Sequence, residues 1–98
     1  MSAIVLIVDF TFNPGQRDAF VARVQEHRKN VLANEPGCKQ FDLVIPDDAP
    51  DKAFLYEIYQ DEAAHEFHMG TAYMAEYRAD TGPMIAERIL TKGRIDNG

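Results

Sequence analysis

The alternation of apolar and polar positions along the chain predicts four β-strands. Each is rich in β-branched and aromatic residues, although the last has the least regular pattern. The predicted segments are residues 3–12, 38–45, 53–59 and 84–95. In the first strand, Leu6 and Val8 lie on one face and Ile7 lies on the other, so both faces are apolar. A strand with two apolar faces has to be covered on both sides.

Helical periodicity predicts one helix after the first strand and another after the third. The first is expected to begin with Asn13 as its cap and Pro14 in its first turn, and to end near Asn34. Its core-facing stripe comprises Phe20, Val24, His27 and Val31. The second is expected to follow the cap residue Asp61, with a short continuation over about residues 72–80. Its inner side comprises Ala64, Phe67, His68 and Thr71.

The element order β-α-β-β-α-β is that of the ferredoxin-like α+β fold. In this fold the helices cover one face of a four-stranded antiparallel sheet. With 98 residues the chain forms a single domain, residues 1–98, and has no segment left to cover the other face. We therefore expect a homodimer in which two sheets pack face to face as an α+β barrel.

Charge and composition limit the kinds of molecule that the protein is expected to bind and the compartment in which it is expected to lie. The formal net charge is −6, and the basic residues form no patch along the sequence, so we expect neither nucleic acid nor an anionic membrane as a partner. The longest apolar run, residues 3–8, is too short for a transmembrane helix or a signal peptide. The single cysteine, Cys38, excludes an intrachain disulfide and favours a cytoplasmic location.

His68 is the strongest candidate for chemistry. It lies on the inner side of the second helix, and the short connection from the third strand brings that helix close to Glu57. Glu57 is ionisable within an otherwise apolar strand, and its burial without a partner would be costly. A buried pair of Glu57 and His68 would satisfy both groups and could transfer protons. The alternatives are a structural core histidine and a Glu57 that points to water from an edge strand.

Other polar residues near the predicted core have two interpretations. His27 and Arg28 either pack, with the Arg28 side chain extending to solvent, or line a cavity where Arg28 binds an anionic or enolate oxygen. Tyr73 and Tyr77 are four residues apart on the continuation helix, a spacing that is typical of packing. Tyr73 could also donate a hydrogen bond to a substrate oxygen.

A metal or cofactor site has little support in the sequence. His65 and His68 have an acceptable helical spacing, but no Cys pair or second His pair supplies further ligands. The glycines form no phosphate-binding or dinucleotide-binding pattern. We therefore expect neither a metal nor an organic cofactor.

Two groups of residues between positions 35 and 71 together form a family-specific pattern, and the resemblance that they indicate spans nearly the whole chain. One is Glu35-Pro36-Gly37-Cys38 followed by Phe41-Asp42. The other is Phe54-Leu55-Tyr56-Glu57 with Tyr59, then Asp61, Ala63-Ala64, His68 and Thr71. Together they resemble the antibiotic biosynthesis monooxygenase family, also called the quinol monooxygenase-like family. Tyr73 stands where a second histidine is common in that family, and Tyr59 stands where a tryptophan is often found.

The resemblance implies a dimeric α+β barrel and a cofactor-independent monooxygenase. Such an enzyme would oxidise a small quinol or polyphenol with O₂, using His68 as the base and Glu57 as its support. The candidates for substrate binding are His27, Arg28, Asp42, Tyr73 and Tyr77. The resemblance also leaves open an isomerase of a small phosphorylated keto sugar, in which the same base moves a proton between carbons. A dimer that binds a small molecule without turnover is the third possibility.

Overall fold

Four antiparallel strands form one sheet, and the helices pack against one of its faces. The computed structural model of the protein describes residues 3–97. Its elements are β1 (Ile4–Phe12), α1 (Arg17–Asn34), β2 (Cys38–Val44), β3 (Lys52–Tyr59), α2 (Glu62–Met69), α3 (Ala72–Thr81) and β4 (Ile85–Gly93). A single 3₁₀ turn over Gly82–Met84 connects α3 to β4.

The sheet order is β2-β3-β1-β4, with every neighbouring pair antiparallel. This order and the β-α-β-β-α-β sequence of elements confirm the predicted ferredoxin-like α+β fold. The second helix is divided into α2 and α3, as predicted: Gly70 ends α2, and the Thr71 side chain caps α3 by accepting from the Met74 backbone N–H. None of the helices in residues 3–97 combines the length and the apolar character that a membrane crossing needs.

The core lies between the helices and one face of the sheet, which we call the covered face. Alternate residues of β1 point into it, from Ile4 to Phe12, and all of them are buried. The predicted stripe of α1 is confirmed, because its buried residues are Phe20, Val24, His27 and Val31. Phe20 packs its ring against Phe10 and Phe12 with centroids 4.8 and 4.6 Å apart. Paired aromatic rings of this kind add to the stability from burial alone.

The start of α1 and the position of Phe67 differ from the predictions. The helix begins at Arg17, and Asn13 does not cap it, because the Asn13 side chain donates to the carbonyl oxygen of Pro83 at 3.0 Å. Gly15 has φ +78°, so the chain turns before the helix starts, in a conformation that favours glycine. Phe67 is 61 % exposed and lies outside the core, since a helix turns about 100° between it and the buried His68.

The irregular pattern of β4 has a structural cause. Its covered-face positions include Arg88 and Lys92, which are opposite Phe10 and Leu6 of β1. Lys92 pairs with the Glu62 carboxylate of α2. Two of the positions that would be apolar in an ordinary half-buried strand are therefore charged, and period-two reasoning gives a weak signal there.

The opposite face of the sheet, which we call the open face, has no helix against it. Its apolar side chains are Val5, Ile7, Val44, Phe54, Tyr56, Ile58 and Ile89. Ile7, Val44 and Ile89 are 41, 48 and 52 % exposed. The apolar patch predicted for the second face of the first strand therefore continues across all four strands.

Candidate active site

A cavity of about 340 Å³ lies between the covered face of the sheet and the helices. Its volume falls within the range of small-molecule sites. The polar side chains of its lining are His27, Glu57, His68, Tyr77, Arg78, Thr81 and Arg88. The rest of the wall is mainly apolar and includes Val8, Phe10, Leu55, Met74 and Ile85.

His68 is 2 % exposed and lies between two carboxylates. The Asp61 side chain caps α2 by accepting from the Ala64 backbone N–H at 2.8 Å. Only two residues therefore separate the end of β3 from the start of α2. This short link places His68 above the sheet. Its Nδ1 atom is 3.1 Å from both carboxylate oxygens of Glu35, and its Nε2 atom is 3.9 Å from Oε1 of Glu57.

Glu35 is held in place by a tight turn at the end of α1. The Gly37 carbonyl accepts a hydrogen bond from the Gln60 backbone N–H at 2.8 Å. A Cβ atom at Gly37 would lie 2.5 Å from the Cβ of Ala64, so only glycine lets α2 approach this closely. The turn buries Glu35 to 3 % exposure against His68, and the Tyr73 hydroxyl donates a second hydrogen bond to its carboxylate.

Glu57 is buried on the cavity side of His68. It is 4 % exposed, which excludes the interpretation that it points to water from an edge strand. Its Oε1 atom accepts a hydrogen bond from the Tyr59 hydroxyl at 2.6 Å. Burial raises the pKa of Glu57, while the Tyr59 hydrogen bond and the positive charge of His68 oppose that rise. The predicted proximity of Glu57 and His68 is confirmed, but the carboxylate hydrogen-bonded to His68 is Glu35.

The positions of the two carboxylates indicate which nitrogen of a neutral His68 carries the proton. Because Glu35 accepts from Tyr73 and presents both oxygens to Nδ1, the proton of a neutral His68 belongs on Nδ1. Nε2 then carries the free electron pair. Glu57 lines the cavity and Glu35 does not, so Nε2 is on the cavity side. This arrangement suits a general base whose protonated form is stabilised from behind by a carboxylate.

His27 lines the same cavity from α1. Its ring stacks on Tyr77 with centroids 4.1 Å apart and planes 7° from parallel. Burial lowers the pKa of His27 to about 4, and the positive charges of His68 and Arg23 add to the effect. Within residues 3–97 its Nδ1 atom is buried without a hydrogen-bond partner. His27 is therefore a neutral, incompletely satisfied ring in the wall near pH 7.

The structure brings four of the predicted site residues to the cavity: His27, Glu57, His68 and Tyr77. It corrects the placement of the other three. Arg28 donates from Nε to the Phe41 carbonyl oxygen at 2.6 Å, outside the cavity. Asp42 is on the open face and accepts from Gln40 at 2.5 Å. Tyr73 reaches Glu35 and does not line the cavity.

Sequence reasoning missed Glu35, Arg78 and Arg88. A signal for Glu35 exists, because a carboxylate just after the C-terminus of a helix is opposed by the helix dipole and calls for a compensating partner. Arg78 shares a helical face with Met74, Tyr77 and Thr81, a set that lines the cavity together. Arg88 is recognisable only once the faces of β4 are known.

Two further observations concern metal binding and the cysteine. Among residues 3–97 no group of three or more His, Cys, Asp or Glu side chains is placed to hold a metal ion. Cys38 is free and buried, and burial raises the pKa of its thiol to about 11. The thiol is therefore protonated near neutral pH and is not an activated nucleophile.

The chain folds as a ferredoxin-like α+β domain that buries a histidine between two carboxylates. The model of the family "Antibiotic biosynthesis monooxygenase" matches residues 3–80. The chain therefore belongs to the antibiotic biosynthesis monooxygenase family. No curated protein sequence matches the chain at a significant level.

Solved structures share the fold over almost the whole chain. A candidate antibiotic biosynthesis monooxygenase from Caulobacter crescentus is 23 % identical, with a TM-score of 0.92 over 98 % of this chain and 92 % of its own. One from Nitrosomonas europaea is 24 % identical, with a TM-score of 0.89 over 96 % and 90 %. A protein from Mycobacterium tuberculosis is 26 % identical, with a TM-score of 0.86 over 98 % of each chain.

Proposed function

We propose that the protein is a cofactor-independent monooxygenase that oxidises a small quinol or polyphenol with O₂. The observation that carries the proposal is His68, a buried imidazole with Nδ1 on the Glu35 carboxylate and Nε2 on the side of a cavity that has both apolar and polar walls. Membership of a family named for monooxygenases supports the reaction class.

In the proposed reaction, Nε2 of His68 removes a phenolic proton from the bound substrate. The electron-rich phenolate transfers an electron to O₂, and the two radicals combine to form a C–O bond in a ring peroxide anion. Protonated His68 then returns its proton to the peroxide, which gives a ring hydroperoxide. The O–O bond of the hydroperoxide then breaks as the ring carbon loses its hydrogen. One oxygen atom remains in the quinone and the other leaves as water, so the substrate supplies all the electrons that reduce O₂.

The side chains around His68 support the proton transfer. Glu35 would stabilise the imidazolium that forms, because its carboxylate already contacts Nδ1. Glu57 faces the same cavity and can exchange a proton with His68 or with the substrate. The apolar part of the wall keeps the radical pair away from water.

The proposal includes a second copy of the chain on the open face. That face exposes Ile7, Val44 and Ile89, and the residues between them are apolar on three further positions of β3. Exposed patches of this extent are typical of interaction surfaces. A homodimer through the two open faces would bury more than about 2,000 Å² in total, in the range of obligate dimers.

Oxygen consumption tests the proposed reaction. The purified protein is incubated with a panel of quinols and polyphenols in an oxygen-electrode assay, and the products are identified by mass spectrometry with ¹⁸O₂. We expect one labelled oxygen atom in the product. His68→Gln should lower turnover by about 10²–10⁴-fold, the usual contribution of a positioned general base.

His65→Gln is the matched control, because His65 lies on the same helix and does not line the cavity. It should retain the turnover of the wild type. If His68→Gln keeps full turnover while remaining folded, another group is the base. If no member of the panel is oxidised, and a phosphorylated keto sugar is isomerised instead, the proposed function is wrong.

A further inference from the structure

Two arginines stand at the rim of the cavity, at the opposite end from Glu57. Arg78 extends from α3 and Arg88 from β4, and both are exposed while lining the cavity. Arg88 is opposite Phe10 on β1, whereas Glu57 is opposite Leu6. Four residues along the strand and two strands across separate their Cα atoms by about 17 Å. The cavity therefore has a cationic rim and a proton-accepting floor.

These arginines differ from the others in the described part of the chain. Arg23 and Arg94 pair with the carboxylates of Asp80 and Glu62. Arg17 and Arg28 donate to backbone carbonyl oxygens. In residues 3–97, Arg78 contacts only the Met69 sulfur, at 3.7 Å, and Arg88 has no hydrogen-bond or ion-pair partner.

Two unpaired guanidinium groups at one site are unusual in this chain. The formal net charge is −6, so acidic side chains are in excess, and yet within residues 3–97 neither of these two arginines forms an ion pair with one. The lining contains one acid, Glu57; burial raises the pKa of Glu57 and the positive charge of Arg88 helps to lower it, but no ion pair joins the two side chains. Guanidinium groups bind carboxylates and phosphates with paired hydrogen bonds.

We propose that the substrate is a hydroxylated aromatic acid, with its carboxylate or phosphate bound by Arg78 and Arg88 and its hydroxyl directed to His68. This inference rests on the proposed function, because it places the reacting hydroxyl at the same base. The acidic group and the hydroxyl would contact different residues of the cavity wall, so a free inorganic anion satisfies only one of the two contacts. The arginines would thus fix which end of the substrate enters the cavity first.

Isothermal titration calorimetry of the full chain tests this inference without turnover. The probes are hydroquinone, gentisate and hydroxyphenyl phosphate, titrated under nitrogen so that no oxidation occurs. They share a phenolic ring and differ in the acidic group, so they separate a carboxylate from a phosphate. The variants are Arg78→Met and Arg88→Met, with Lys29→Met as the control, since Lys29 is an exposed cation on α1 outside the cavity.

We expect at least one of the two acids to bind more tightly than hydroquinone. Each arginine variant should weaken binding of that acid by about ten-fold and leave hydroquinone unaffected. Added salt should weaken the acid selectively, since the rim is exposed. Lys29→Met should match the wild type.

The inference is overturned if neither acid binds more tightly than hydroquinone, or if the arginine variants bind both acids like the wild type. The proposed function can fail separately. Tight, arginine-dependent binding of an acid without oxygen consumption would leave the cationic rim standing and reject the monooxygenase. Oxygen consumption with hydroquinone but no preference for an acid would do the reverse.

Discussion

The two faces of the sheet differ in what they do with polar groups. The covered face buries Glu35, Glu57 and His68 almost completely, and each has a hydrogen-bond partner. The open face keeps its charged side chains at the surface, as in the Lys52–Asp9 ion pair, and exposes apolar ones such as Ile89. The same four strands therefore support a cavity with buried polar groups on one side and an apolar, uncovered surface on the other.

The two faces differ because the helices pack against only one of them. The helices of residues 3–97 cover one face, and the cavity with its buried ionisable groups lies between them and the sheet. In residues 3–97 no helix packs against the other face, which leaves side chains such as Ile7 and Ile89 exposed for the proposed second copy to cover. We expect substitutions on the open face to change the assembly and substitutions on the covered face to change chemistry or stability.

The largest effect is expected from charges on the open face. Ile7→Glu combined with Ile89→Glu places four carboxylates in the proposed interface of two chains, where like charges cannot be neutralised. The wild type should have the mass of a dimer, and the double variant that of a monomer, in light scattering coupled to size exclusion. Leu32→Glu is the control, because Leu32 is a 44 % exposed apolar residue on α1, away from the open face. A double variant that stays dimeric would place the interface elsewhere.

On the covered face, Glu35→Gln should lower kcat by about 10²–10³-fold, since it removes the charge that stabilises protonated His68. Glu35 does not line the cavity, so KM should change little, whereas a general loss of structure would affect both. Tyr73→Phe removes the other donor to Glu35 without changing its charge and should have a smaller effect. Steady-state kinetics with the preferred substrate give kcat and KM for the wild type and for both variants. Equal losses in Tyr73→Phe and Glu35→Gln would contradict a role for the charge.

The buried His27 makes stability depend on pH. Its folded pKa of about 4 is below the usual 6.5, so the unfolded chain binds more protons between these values. The free energy of unfolding has its full value above about pH 6.5. It falls by up to about 3 kcal/mol as the pH drops toward 4, because the unfolded chain binds the His27 proton more readily than the folded one. Urea unfolding of the wild type and His27→Gln over this range should show the difference between them shrink by that amount. A constant difference would show that His27 keeps an ordinary pKa.

The smallest effect is expected at the turn that positions Glu35. Gly37→Ala forces its new Cβ against Ala64 and should lower the free energy of unfolding by about 1–3 kcal/mol. Ala64→Gly in the same chain removes the obstructing methyl group and should recover part of that loss. Thermal unfolding of both single variants and the double variant measures the coupling. If the two losses simply add, the close approach of α1 and α2 at this turn is not what requires glycine.

Sequence reasoning selected His27, Glu57 and His68 because each is a polar group at a position whose neighbours on the same element are apolar, and it selected Tyr77 only through its helical spacing from Tyr73. It misplaced Arg28, whose position beside the stripe of α1 does not reveal that its side chain reaches the Phe41 carbonyl. It missed Glu35 because the residue follows a helix and belongs to no periodic face. It paired His68 with Glu57 alone, because Glu35 and His68 are 33 residues apart and their contact cannot be inferred from the sequence.

The amino-acid sequence by itself determined the order of the elements, the ferredoxin-like class, the stripe of α1 and the apolar character of both sheet faces. These follow from local periodicity, because a period of two or 3.6 residues decides which side chains share a face. Only the tertiary structure decided that His68 contacts Glu35, that Arg78 and Arg88 meet at one rim, and that Asp42 lies away from them. Such contacts depend on register and on how closely helices approach the sheet, here on a few ångströms at Gly37, and no local pattern encodes that distance.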